Sequence, residues 1–81
     1  MRIVGDERKR LATLKARDLD FADLTPDFFA AAVVRPAKEG RLQAVGRLGG
    51  RTVSVVYRPM GREALSIVSM RHANQKERRL S

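Results

Sequence analysis

Arg71 and His72 stand side by side in the sequence, and the pair frames the chemistry open to this chain. Arginine stays protonated and presents a planar fork of donors that matches a phosphate. Histidine is the side chain type whose ordinary titration lies near neutrality, so it can take up or release a proton. His72 is the only histidine and there are no cysteines. Cys-based metal and iron–sulfur sites and a His-rich zinc centre are thereby excluded, leaving only a poor carboxylate alternative, and no metal site or cofactor is expected. Fixed positive charge is abundant: 17 Lys and Arg against nine Asp and Glu, a net of +8. Residues 1–40 hold eight basic and seven acidic side chains, whereas residues 41–81 hold nine basic, eight of them Arg, and two acidic. A basic half of this kind fits a polyanion, nucleic acid above all, with an acidic protein partner as the other reading.

The elements that must position these residues can be read along the chain. At 81 residues it is one small domain, 1–81. Asp6 is a good N-cap for a helix running from Arg8 to Arg17, with Leu11 and Leu14 as its apolar stripe and Ala12 and Ala16 beside it. Its basic outer face is Arg8, Lys9, Arg10 and Lys15, and Asp18 falls at the exit. Thr25-Pro26 opens a second helix carrying Phe28, Phe29 and Ala32, and Pro36 stops any helix there. Strands follow at Arg41–Arg47, Thr52–Arg58 and Ala64–Met70, joined by turns at Gly49-Gly50 and Pro59-Met60-Gly61. In the last strand Leu65, Ile67 and Ser69 share one face, and Ser66, Val68 and Met70 the other. Asn74 and Glu77 have the spacing of a capping box for a short terminal helix. The expected fold is α+β: two N-terminal helices packed on an antiparallel meander of at least three strands, with a short C-terminal helix. Arg41, Arg47, Arg51, Arg58 and Arg62 gather at strand ends and turns. No apolar run is long enough to cross a bilayer, and Met1 to Asp6 lacks the apolar stretch of a secretory leader, so a cytoplasmic location without membrane contact is expected.

The run Ser66-Ile67-Val68-Ser69-Met70-Arg71-His72-Ala73-Asn74-Gln75-Lys76-Glu77-Arg78 resembles the strand-end motif of BrnT-type toxins, roughly I-I-S-A-R-x-A-x-x-x-E-R. Ile67, Ser69, Arg71, Ala73, Glu77 and Arg78 match it. Arg41 to Gly46 is similar to the family's R-F-x-x-I-G strand, and Gly50 to Tyr57 to its G-R-x-L-x-V-V-x strand. Asp6 and Lys9 match a D-x-x-K opening, and Leu14, Leu19 and Phe21 the apolar positions of L-x-K-H-G-I-x-F. The family's K-H-G stands here as Ala16-Arg17-Asp18, so an arginine replaces the expected histidine. The resemblance implies a RelE-like fold and the toxin half of a bacterial type II toxin–antitoxin pair. It further implies metal-independent endoribonuclease activity, and a BrnA-like antitoxin with a ribbon–helix–helix domain through which alone the pair would touch DNA. The alternative is a catalytically inactive relative that pairs with an antitoxin-like protein in transcriptional autoregulation.

Cleaving RNA without a metal needs a base for the ribose 2′-OH, fixed charge for the phosphorane, and an acid for the leaving oxygen. The resemblance makes Arg71 the first candidate to clamp the scissile phosphate; the other reading pairs it with Glu77 or Glu63. Lys9 either holds a phosphate or moves a proton, or is an exposed helix lysine. Arg17 can supply charge where the family has His, or is a helix-end cation. His72 either supplies the base from a new position or is an exposed histidine. In an extended strand end it points away from Arg71. Arg51, Arg58, Arg62, Arg78 and Arg79 are candidates for contacts with an RNA backbone or with an acidic antitoxin segment. Phe21, Phe28 and Phe29 read as core, leaving Tyr57 as the aromatic residue that could meet a base.

Overall fold

The computed structural model describes residues 1–80; Ser81 lies outside them. In chain order it comprises strand β1 (Arg2–Gly5), helices α1 (Glu7–Arg17) and α2 (Pro26–Ala31), strand β2 (Val33–Pro36), strands β3 (Leu42–Leu48), β4 (Arg51–Met60) and β5 (Ala64–His72), and helix α3 (Gln75–Arg78). The strands form one sheet in the order β1-β5-β4-β3-β2. The expected meander is its centre. The expectation of a purely antiparallel sheet is corrected: β1 pairs parallel to β5, with Arg2 opposite Ala64, and β2 adds antiparallel to β3. Both are four-residue edge strands, too short to show a two-residue alternation in sequence.

Two further details depart from the sequence reading. β4 does not turn at Pro59 but runs on to Met60, and Gly61 takes the positive φ of +69° that the turn needs. β3 begins at Leu42, opposite Tyr57, so past Tyr57 one flank of β4 has no partner strand and a proline is accommodated. In β5, Ser69 lies opposite Val56 but Ile67 lies opposite Tyr57, leaving Val68 as a bulge. The bulge reverses the alternation. Leu65, Ile67, Met70 and His72 face one side of the sheet, while Ser66, Ser69 and Arg71 face the other.

The first of these sides carries the core. Leu19, Phe21, Leu24 and Phe28 cover Ala44, Val53, Val55, Tyr57, Leu65, Ile67 and Met70. Phe29 meets Tyr57 edge-on at 5.0 Å between ring centroids, so Tyr57 belongs to the core. The fit is close at Gly46, where a Cβ would sit 3.1 Å from both Phe28 and Ala32.

α1 lies over this same face but buries none of its residues, and the expected apolar stripe stays out: Leu11 is 51% exposed. Polar contacts hold the helix instead. The Asp6 carboxylate accepts from the backbone N–H of Arg8 and Lys9, and Arg10 bridges Glu7 and Asp20. That pairing raises the Arg10 pKa, through its hydrogen bonds to Glu7 and then Asp20. Asp18 closes the helix in the left-handed region at φ +56°. α3 lies on the opposite, second face of the sheet, with the capping box between Asn74 and Glu77 formed.

Candidate functional site

Arg17 and His72, 55 positions apart, meet where the end of α1 crosses the end of β5. The Arg17 guanidinium donates from Nη1 to the Met70 carbonyl at 2.7 Å, and His72 Nε2 lies 2.9 Å from the Arg17 carbonyl oxygen. A carbonyl oxygen only accepts, so Nε2 is the donor in this contact and Nδ1 is the ring nitrogen it leaves unused. Arg51, at the start of β4, donates to the Asp18 carbonyl at 2.6 Å and to its carboxylate at 3.0 Å. Three contacts therefore fasten the C-terminal end of α1, whose dipole favours cations there. Beside them opens a cleft of about 360 Å³ lined by Gly50, Arg51, Thr52, His72, Ala73 and Arg78. One imidazole stands there between arginines, an arrangement suited to holding a phosphate and moving one proton.

Arg71 points the other way, as extended geometry requires. Its fork meets Glu77 in two parallel bonds, Nη1 to Oε1 at 2.7 Å and Nη2 to Oε2 at 2.8 Å. This is the pairing with Glu77 that the sequence held open as the second reading of Arg71. Glu77 is only 3% exposed. It also accepts from Gln43 Nε2 at 2.8 Å and from the Asn74 backbone N–H at 3.0 Å. Arg35 approaches to 3.7 Å, and Gln43 links onward to Ser54. The bond from Arg71, with those from Asn74 and Gln43, outweighs burial and lowers the Glu77 pKa to about 2. The same bond raises the Arg71 pKa. A carboxylate so fully engaged is a structural anion and not a base.

The remaining sequence candidates are dispersed. Lys9 is exposed on the first half of α1, about two helical turns, ~12 Å, from Arg17. Arg51 and Arg78 line the cleft. Arg58 lies on the second face of the sheet, Arg62 in the β4–β5 turn, and Arg79 at the end of α3, all exposed. The basic residues of the second half thus form separate surfaces. Sequence reasoning missed Arg35, Gln43 and Ser54, the partners around Glu77. Polar residues alternating along a strand read as a solvent face, and nothing in their order shows that α3 covers them.

Residues 6–77 match the family model of the ribonuclease toxin BrnT of type II toxin–antitoxin systems. Among solved structures, the 1.1 Å crystal structure of the Brucella abortus ribonuclease toxin BrnT is similar at 46% identity and a TM-score of 0.85, covering 93% of this chain and 99% of that one. No curated protein matches. With the family model spanning most of its length, this chain belongs to the BrnT family, the ribonuclease toxins of type II toxin–antitoxin systems.

Proposed function

We propose that the chain cleaves RNA without a metal at the cleft beside His72. The ribose 2′-oxygen forms a bond to the adjacent phosphorus, and the P–O5′ bond breaks. His72 Nδ1 takes the 2′-OH proton and returns it to the departing 5′-oxygen. Arg17 and Arg51 stabilise the charge that develops on the phosphorane. Each has N–H donors beyond those bonded to Met70 and Asp18, because a guanidinium carries five. Lys9, Arg78 and Arg79 hold the flanking RNA backbone. Arg71 acts as a positioning residue: by gripping Glu77 it fixes α3, which forms one wall of the cleft. The cation-rich lining supports the metal-free reading, since arginines around a single imidazole repel a divalent ion. The family resemblance supports a RelE-like fold, a cytoplasmic setting and a BrnA-like ribbon–helix–helix antitoxin, through which alone the pair would meet DNA.

The observation that carries this reading is the His72–Arg17 contact, which orients the imidazole inside a cleft lined by arginines. The test is cleavage rate against pH on one RNA for wild type and His72→Ala. His72→Ala is expected to lose about 10²–10⁴-fold in rate, together with one limb of the profile. A variant that keeps the wild-type rate removes His72 as the proton carrier.

A further inference from the structure

α3 covers only part of the second face of the sheet. Beyond Ser54 and Arg71 the face continues uncovered over β4, β5 and β1. Register places its side chains in rows. Met60 lies opposite Ala64, and Ala64 opposite Arg2; Arg58 lies opposite Ser66, and Ser66 opposite Val4. Each row sets one arginine against one apolar residue, in reversed order, so the two cations stand on a diagonal across a floor continued by Val56. Strands are spaced ~4.8 Å apart, so each row spans roughly 10 Å. Met60 is 53% exposed and Val4 37%. Arg62 adds a third cation in the adjoining turn. Among the described residues, Arg2, Arg58 and Arg62 make no ion pair and no side-chain hydrogen bond.

We propose that this face docks an acidic protein segment whose carboxylates reach Arg2 and Arg58 and whose apolar side chains lie between Met60, Val4 and Val56. RNA would also meet the charge, but it would use neither the apolar floor nor find an aromatic ring on which to stack a base. Phe21, Phe28, Phe29 and Tyr57 all belong to the first face. Charge complementarity and exposed apolar area together fit a peptide. The proposal rests on the toxin reading in one respect, that the antitoxin is the protein which supplies the segment. It separates inhibitor docking from the cleft, which opens at the β3–β4 hairpin end of the sheet between Arg51, His72 and Arg78.

The test uses the full chain and its purified antitoxin. Binding by calorimetry and RNA cleavage are measured for wild type and for Arg2→Glu/Met60→Glu. The double variant is expected to bind the antitoxin about 30-fold or more weakly and to cleave RNA at the wild-type rate, which also reports that it folds. Arg2→Gln alone is expected to weaken binding less and in the same direction. Unchanged antitoxin affinity overturns the proposal. So does a parallel loss of RNA cleavage in a folded variant, which would give this face to RNA. If wild type and variant both fail to cleave RNA while antitoxin affinity still falls, the docking proposal stands and the ribonuclease mechanism fails.

Discussion

The two ends of the Arg71-His72 step differ in how far their bonding capacity is used. On the second face, Glu77 is buried and takes hydrogen bonds from Arg71, Gln43 and Asn74. On the first face, His72 is exposed and gives one bond to a backbone carbonyl. The saturated cluster is rigid and chemically quiet, because moving a proton onto Glu77 would break several bonds at once. The histidine is oriented by one nitrogen, which leaves the other for the proton transfer proposed above. Adjacent residues of one strand thus divide support from the proposed chemistry, and the pleat of the strand makes the division.

Breaking the supporting side should have the largest effect on stability. Glu77→Ala leaves Arg71 without its carboxylate and takes from the Gln43 amide one of its two acceptors, and should cost about 3–5 kcal/mol in a denaturant titration. A loss below about 1 kcal/mol would show the cluster to be incidental. Acid should reach the same cluster more gently. Glu77 has its folded pKa depressed from the ordinary 4.5 to about 2, so its contribution is complete above pH 4.5 and fades as pH falls toward 2. The shift corresponds to at most about 3 kcal/mol. Thermal unfolding between pH 6 and pH 2 should show the decline, and Glu77→Gln should flatten it.

On the chemical side the signature should reverse. Arg17→Met keeps a long side chain and removes the charge, so RNA cleavage should fall about 10²-fold while the melting temperature moves little. A large drop in melting temperature at constant specific activity would instead make Arg17 a strut of α1. The smallest effect should come from Asp6→Ala, which removes the α1 cap at about 1 kcal/mol. If α1 matters mainly for placing Arg17, cleavage by this variant should decline with the fraction of helix retained, read by circular dichroism.

Local devices were legible in the sequence. The Asp6 cap, the Thr25-Pro26 helix start, the Gly49-Gly50 hairpin and the Asn74–Glu77 capping box each act over four residues or fewer, and the structure contains them all. What escaped depends on distant neighbours. β1 and β2 are strands only because β5 and β3 offer them an edge. The bulge at Val68 is hidden because Ser-Ile-Val-Ser-Met can be read as unbroken alternation. Leu11 and Leu14 looked like a core stripe, yet α1 rests on polar contacts. Arg71 and His72 were legible as residue types with opposite directions. That Arg17 would meet His72, and that Gln43 and Ser54 would lie with Glu77 beneath α3, required the sheet order.

The parallel pairing of β1 with β5 also has a consequence in time. Arg2 finds its partner Ala64 only 62 positions later, and closing so long a loop is entropically slow and unrewarded until the last strand is present. During synthesis, β1, α1 and α2 emerge with no completed sheet to pack against, and His72 arrives with the strand that completes it. On the mechanism proposed above, the site of a growing chain is therefore complete only when nearly all of the chain has been made.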